Sequence, residues 1–437
     1  MLLPGLLSEL LAREAVSPEN PLAPRAPHFR PKARRVIFLY MSGGVSHVDS
    51  FDPKPKLFSD HGKKIKAGFL KRPEWKFSAH GKSGIGVSDL FPNVAKCVDD
   101  LCVIRSMRGD HGNHFEATLG IHTGSVTFAR PSIGSWVSYG LGTVNQNLPS
   151  FVVIAPYLPY AGAQVWSADF LPGCHQGTRV IPGEEPIPNI QRRLASLEEQ
   201  RMELGLLQTL NRRHQSDRRS NDPALAARIK SFETAFGMQM EAPEAFDISK
   251  ESKATLDLYG LEAGDRTGFA WQCLVARRLA ERGVRFIELI DSGASGNWDS
   301  HSDMADHGNL AQNVDKPIAG LLQDLKARGM LEDTLVVWTT EFGRTPCVEK
   351  ADNKGREHHA LAFSSWLAGA GVKPGITYGR SDEYGMAVAE NEVHVHDFHA
   401  TILHLLGLNH EKLTFRHAGR DFRLTDVAGN VVRGVLA

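Results

Sequence analysis

Apolar residues in this chain come in short unbroken runs rather than in strict alternation. The runs are RVIFLYM (35–41), LCVI (101–104), FVVIA (151–155), VRFIELI (284–290), TLVVWTT (334–340) and AFSSWLAG (362–369). β-Branched and aromatic runs of this length predict strands buried on both faces. Helical segments lie between several of them. One carries Ile318, Leu321, Leu322 and Leu325 on a single stripe and ends in ARGM, a basic last turn with a glycine stop. Strands separated by helices of this size predict an α/β fold with a mostly parallel central sheet between helices. In such sheets ligands sit beyond the carboxyl ends of the strands, so the residues just after each run are where chemistry is to be sought.

Two segments depart from this pattern. Residues 188–263 are rich in Arg, Glu, Leu and Gln and carry almost no strand signal, which predicts a helical insertion on the surface of the domain that begins at residue 34. Residues 1–33 form a lead-in, a short apolar piece followed by a proline-rich stretch. That piece has neither a charged leader before it nor a small-residue cleavage site after it. It reads either as the end of an export signal or as a short helix before an extended lead-in.

Composition narrows the function classes. A chain of 437 residues can bury a large core as one α/β domain or two to three smaller ones. Its 50 basic residues balance 50 acidic ones, so no charge field points to nucleic acid or to a membrane surface. No stretch is apolar enough to span a bilayer. The cysteines at 97, 102, 174, 273 and 347 form no CxxC pair and are odd in number, which favours packing roles over disulfides or a thiolate zinc site.

The loops after the strands carry the candidate chemistry. After the first run come His47, Asp49 and Asp52; after the second, Asp110, His111 and His114; after the fourth, Asp299, His301, Asp303 and His307. The fifth run ends at Glu341 and Arg344, and GREHHA supplies Arg356, Glu357, His358 and His359 before the next strand. Singly, each Asp or His is a turn former or helix cap. Together, carboxylates and imidazoles on converging loops are the donor set of one or two divalent ions such as Zn, Mn or Ca, and of a metal-assisted hydrolytic site. Trp298 and Trp338 lie close by and are read as packing residues, with stacking on sugar rings as the alternative.

These motifs carry a family resemblance. IAGLLQDLKARGMLEDTLVVWTTEFGRTP resembles the helix, strand and metal loop of sulfatases and other members of the alkaline phosphatase superfamily, and VHVHDFHATILHLLGL is similar to their C-terminal segment. More narrowly, GGVSHVDSFDPKP, WDSH, TEFGRTP, GREHHA and AGRDFRLTDV resemble the sulfatase-like family called domain of unknown function 1501, from about residue 22 to the end. The resemblance implies an alkaline-phosphatase-like fold, an extracytoplasmic location and a small-molecule or glycan ester as substrate. It places Glu341 at a metal-binding Asp and Phe342 at the neighbouring His or Asn. His358 or His359 stands for the late histidine ligand, Asp299 and His301 for the holders of the other ion, and His47 and Asp49 for the first-strand aspartates. The Asp303 and His307 pair competes with Asp299 and His301. Arg344 pairs with a ligand anion or braces Glu341.

The departure from the family lies at the nucleophile. Aligning Thr123-Gly124 with the sulfatase motif sets His114 where Cys or Ser is expected. A metal-activated water, His114 as nucleophile, or His114 as a further ligand are the options left open. The implied activity is hydrolysis of sulfate or phosphate esters; the alternative is a binding protein that holds an anionic glycan or a partner on the same scaffold.

Overall fold

The computed structural model describes residues 20–191, 196–217, 223–293 and 296–437, so the apolar start of the lead-in lies outside the described residues. The first strand, β1 (Arg35–Met41), shows why its sequence is apolar without a break. Ile37, Leu39 and Met41 point into one core, and Val36, Phe38 and Tyr40 into another on the opposite face. Successive side chains of a strand point to opposite faces, so a sheet covered on both sides needs apolar residues at every position.

The other strands of the central sheet are β2 (Leu101–Arg108), β3 (Phe151–Ile154), β4 (Thr178–Val180), β5 (Phe286–Asp291), β6 (Thr334–Thr339), β7 (Phe363–Ala368), β8 (Ile376–Tyr378) and β9 (Val393–His394). Their order is β8-β2-β7-β6-β1-β5-β3-β4, with β9 also paired to β2. β1 is parallel to both β6 and β5, and β7 runs antiparallel between β6 and β2. The mostly parallel α/β sheet expected from the runs is therefore what the chain forms.

Helices cover both faces. They are α1 (His114–Thr123), α2 (Ile133–Leu141), α3 (Leu197–Asp217), α4 (Pro223–Phe246), α5 (Gly268–Glu281), α6 (Asp306–Ala327) and α7 (Val395–Leu405). Residues of α5 and α6 pack with one core, those of α1, α2 and α7 with the other. The predicted stripe of Ile318, Leu321, Leu322 and Leu325 is buried on α6. α3, α4 and a helix over Lys253–Tyr259 fill the described part of the segment without strand signal; residues 192–195 and 218–222 of it lie outside the description. No described helix is long and apolar enough to cross a membrane. All five cysteines are free, and four of them are buried.

Candidate metal centre

α1 starts at the carboxyl end of β2, where the Asn113 side chain accepts from the Phe115 amide and caps it. That start fixes His114 in the first turn, facing the sheet. At the end of β6, Glu341 is buried and points at the same place, and its Oε1 accepts from His114 Nδ1 at 2.7 Å. Past β6, the two-residue strands Gly343–Arg344 and His358–His359 pair antiparallel. Neighbouring residues of a strand face opposite sides. His358 accordingly turns toward His114, at a ring-centroid distance of 4.2 Å, while His359 turns away to stack beside His47 at 5.9 Å.

The loop after β5 supplies the rest. Asp299 Oδ1 lies 3.1 Å from His114 Nε2, 2.9 Å from His301 Nε2 and 3.2 Å from His358 Nε2. Ligand atoms of His114, Asp299, His301 and His358 all fall within 4.8 Å of one another, a set that could hold a metal ion. The other ring nitrogen of each imidazole is committed elsewhere. His114 Nδ1 donates to Glu341, His358 Nδ1 donates to the Gly112 carbonyl at 2.7 Å, and His301 Nδ1 is 2.8 Å from Glu357 Oε2. Carboxylates and carbonyls accept, so each Nδ1 carries the hydrogen and each Nε2 is left with its lone pair toward Asp299 Oδ1. His114 Nε2 is buried with no hydrogen-bond partner. Three imidazole nitrogens and one carboxylate oxygen, the latter also met by Arg344, make a donor set that could take a cation, and orientation from behind by acceptors is how proteins hold metal-ligating histidines.

Electrostatics agree with the geometry. Burial would raise the Asp299 carboxyl, but the adjoining His114 and His358 imidazoles and the Arg344 guanidinium overcome this and hold it well below the usual carboxylate range. Burial pulls His114 down, yet Asp299 and Glu341 outweigh it and leave the imidazole raised. The loop is seated by close backbone approach. A Cβ on Gly43, whose φ is +116°, would lie 2.5 Å from the Gly296 carbonyl and 2.8 Å from the Asp299 amide.

Glu341 is not among the four converging residues. Its Oε1 also accepts from the Gly43 amide at 2.8 Å, and its Oε2 from Tyr40 at 3.0 Å and Thr340 at 3.1 Å. With both oxygens taken, it stands behind His114, outside the cluster. Arg344 is fully buried and donates to the carbonyls of Gly43, Gly44, Trp298 and Arg356 and to Asp299 Oδ1, the last at 2.6 Å. It therefore braces Asp299, not Glu341, and faces no open space where a ligand anion could meet it.

The remaining sequence candidates lie outside the cluster. Asp49 accepts from Ser46, from the Glu74 amide and from Arg356, the last at 2.8 Å, with Arg356 fully buried. His47 Nε2 meets the Gly385 carbonyl at 2.9 Å, and burial holds its imidazole down to about 3. His307 accepts from the Ser46 amide at 3.3 Å and lies 3.0 Å from Ser300 Oγ, again held to about 3 by burial, so it joins two loops as a neutral ring. Asp303 accepts from the Ala305 amide at the entry to α6. Of the two pairs that competed in the sequence, Asp299 and His301 are the ones in the cluster. Asp52 pairs with Lys54 at 2.9 Å, and Asp110 with His394 at 2.9 Å. Exposed His111 stands 3.8 Å from Glu116. Trp298 and Trp338 are both buried packing residues.

Tyr160, from the loop after β3, was not marked by the sequence. Its ring stacks on His114 at 4.0 Å and 8°, and its hydroxyl reaches Asp299 Oδ2 at 3.4 Å. The PYLPY stretch has no charged residue to draw the eye, and only the strand-end rule could have found it. Phe342, which replaces a His or Asn of the resemblance, packs between His114 and His358 at 4.8 and 4.7 Å.

A family described as protein of unknown function (DUF1501) matches residues 33–436. The chain belongs to this family. No curated protein matches. Solved structures similar to this DUF1501 chain include Ps i-CgsB, also solved in complex with k-i-k-neocarrahexaose, at TM-score 0.38 and 11% identity over 86% of this chain and 72% of that one. The lipoteichoic acid synthase LtaP from Listeria monocytogenes aligns at TM-score 0.37 and 8% identity, over 94% and 80% of the two chains. A protein in the alkaline phosphatase superfamily from Vibrio parahaemolyticus aligns at TM-score 0.37 and 11% identity, over 89% and 70%.

Proposed function

We propose that this DUF1501 protein is a metal-dependent hydrolase of sulfate or phosphate esters, with His114, Asp299, His301 and His358 holding one divalent ion. The observation that carries the reading is the convergence of three imidazole Nε2 lone pairs on Asp299 Oδ1, each ring fixed from behind through Nδ1. An ion held by these four residues would supply a Lewis acid for the ester oxygen and would lower the pKa of a bound water from 15.7 to about 7. The ester class and an extracytoplasmic setting rest on the motif resemblance.

The chain's own residues have separable parts in this reading. Glu341 keeps His114 in one tautomer. Arg344 offsets the charge of Asp299 and locks its loop to the turn after β1. Tyr160 and Phe342 cover the rings and keep solvent from their faces. Glu357, half exposed beside His301, lies on the open side, where its carboxylate can take a proton from water. His114 belongs to the ion-holding set rather than serving as the nucleophile, because its Nε2 is directed at Asp299.

The test is metal content by mass spectrometry on protein purified without chelator, together with turnover of aryl phosphates and aryl sulfates. Near-stoichiometric metal that is lost in Asp299→Ala and His358→Ala, with turnover lost in parallel, supports the hydrolase. Bound metal without turnover of any ester in the panel favours the binding protein.

A further inference from the structure

α3 has two faces, and the fold uses one. Toward α4, Gln200 Nε2 donates to Gln239 Oε1 at 2.7 Å and Gln208 donates to Glu233 at 3.3 Å, with Leu197 and Leu204 half-buried on that side. On the other face, Met202, Leu206 and Leu210 are 63%, 64% and 54% exposed. Single exposed apolar residues are ordinary on a protein surface, but a stripe of three on successive turns marks an interaction face.

The stripe has a symmetry that identifies its occupant. Glu199, Met202, Leu206, Leu210 and Arg213 are spaced three, four, four and three residues apart. At 100° per residue all five fall within an arc of about 80° on one side of the helix. The spacing reads the same in both directions about Leu206, while the charge reverses, acidic at the amino end and basic at the carboxyl end. An antiparallel copy of the same helix therefore presents Arg213 to Glu199, Leu210 to Met202 and Leu206 to itself. A two-fold interface requires this self-complementarity, and a different partner would have no reason to match it. The spacing is also that of a short coiled-coil seam.

We propose that the protein is a homodimer in which the α3 helices of two copies pack antiparallel about a two-fold axis through Leu206. The inserted segment is then an assembly element set apart from the metal cluster, and the dimer forms whether or not the ion is bound.

Sedimentation velocity on the full chain at micromolar concentration is the first measurement. The expected result is a species of twice the protomer mass, halved in Leu206→Glu with an unchanged far-UV spectrum. Cysteine cross-linking fixes the register. Leu206→Cys alone should oxidise to a covalent dimer, since residue 206 faces its own copy, whereas Met202→Cys should link to Leu210→Cys in a mixture of the two variants and not to itself. A monomeric wild type overturns the proposal, including one that binds lipid vesicles through this face. So does a dimer that survives Leu206→Glu, or one in which Met202→Cys self-links as readily as Leu206→Cys, the mark of a parallel pair. Should Leu206→Glu fail to fold, the cross-linking outcomes decide alone.

Discussion

His114 Nδ1 stands 2.7 Å from Glu341 Oε1, and this contact decides which nitrogen of the ring is turned toward Asp299. The carboxylate is itself held by the Gly43 amide and by the hydroxyls of Tyr40 and Thr340. A residue placed as a ligand by resemblance is thus, in the fold, hydrogen-bonded to a member of the candidate cluster.

Glu341→Gln should weaken metal binding without abolishing it. The amide has one acceptor oxygen for four donors, and its NH2 group would confront some of them. Loss of such a support generally costs 10- to 100-fold in affinity. Competition with a chromogenic chelator would measure it; an unchanged affinity would remove Glu341 from the site.

The two adjacent histidines should part company on substitution. His358→Ala is expected to lose the ion. His359→Ala, whose ring lies beside His47 on the other side of the short strand, should keep the ion and lose about 1–3 kcal/mol of stability through the vacated space. Metal content and urea unfolding on the same two variants separate the effects.

Metal affinity should fall as the solution is acidified, because protons and the ion compete for the Nε2 lone pairs. His114 is raised above the ordinary imidazole value by Asp299 and Glu341 against the pull of burial, so in the metal-free protein its proton persists to higher pH than on a free imidazole. Binding at neutral pH should therefore release protons. Calorimetry in buffers of different ionisation enthalpy counts them, and a count of zero would contradict the arrangement.

Much of this was open to sequence reading and some was not. The strands β1, β5 and β6 were legible because both faces are buried, which forces unbroken apolar runs. β8 and β9, three and two residues long, lie at the sheet margin and leave too short a trace to recognise. In the site, the loops of Asp299, His301 and His358 were found by the strand-end rule. Which charges pair was not: Asp49 and Arg356 lie 307 positions apart, and no local pattern announces that they neutralise each other. The roles of Arg344 and Glu341 were hidden for the same reason, since their partners come from the turn after β1, the start of α1 and the loop after β5.

That Asp49–Arg356 pair makes a prediction about acid. Burial would raise the Asp49 carboxyl, but Arg356, Ser46 and the Glu74 amide bring it below its model-peptide value of 3.8. A depressed native pKa contributes stability that is present above the unfolded value and lost as pH falls through the native one. Wild type should accordingly lose stability below about pH 4 more steeply than Asp49→Asn. Arg356→Ala, which strands a buried carboxylate, should cost about 3–5 kcal/mol at neutral pH. Denaturant titrations across pH measure both.

Gly43→Ala should damage the site from a distance. The added methyl would meet the Gly296 carbonyl and the Trp298 and Asp299 amides at 2.5–2.8 Å, with φ at +116° adding strain. Displacement of Asp299 should lower metal occupancy and cost about 1–3 kcal/mol in stability. Full occupancy in this variant would show that the loop has slack the packing does not reveal.

The short pairing of Gly343–Arg344 with His358–His359 makes the site depend on parity. Residues between the two strands can be added or removed as long as the same partners stay opposite each other. A slip of one position would exchange the faces of the two histidines, sending the wrong imidazole to Asp299 and the right one to His47. Loop length here is negotiable, but the reading frame of the pairing is not.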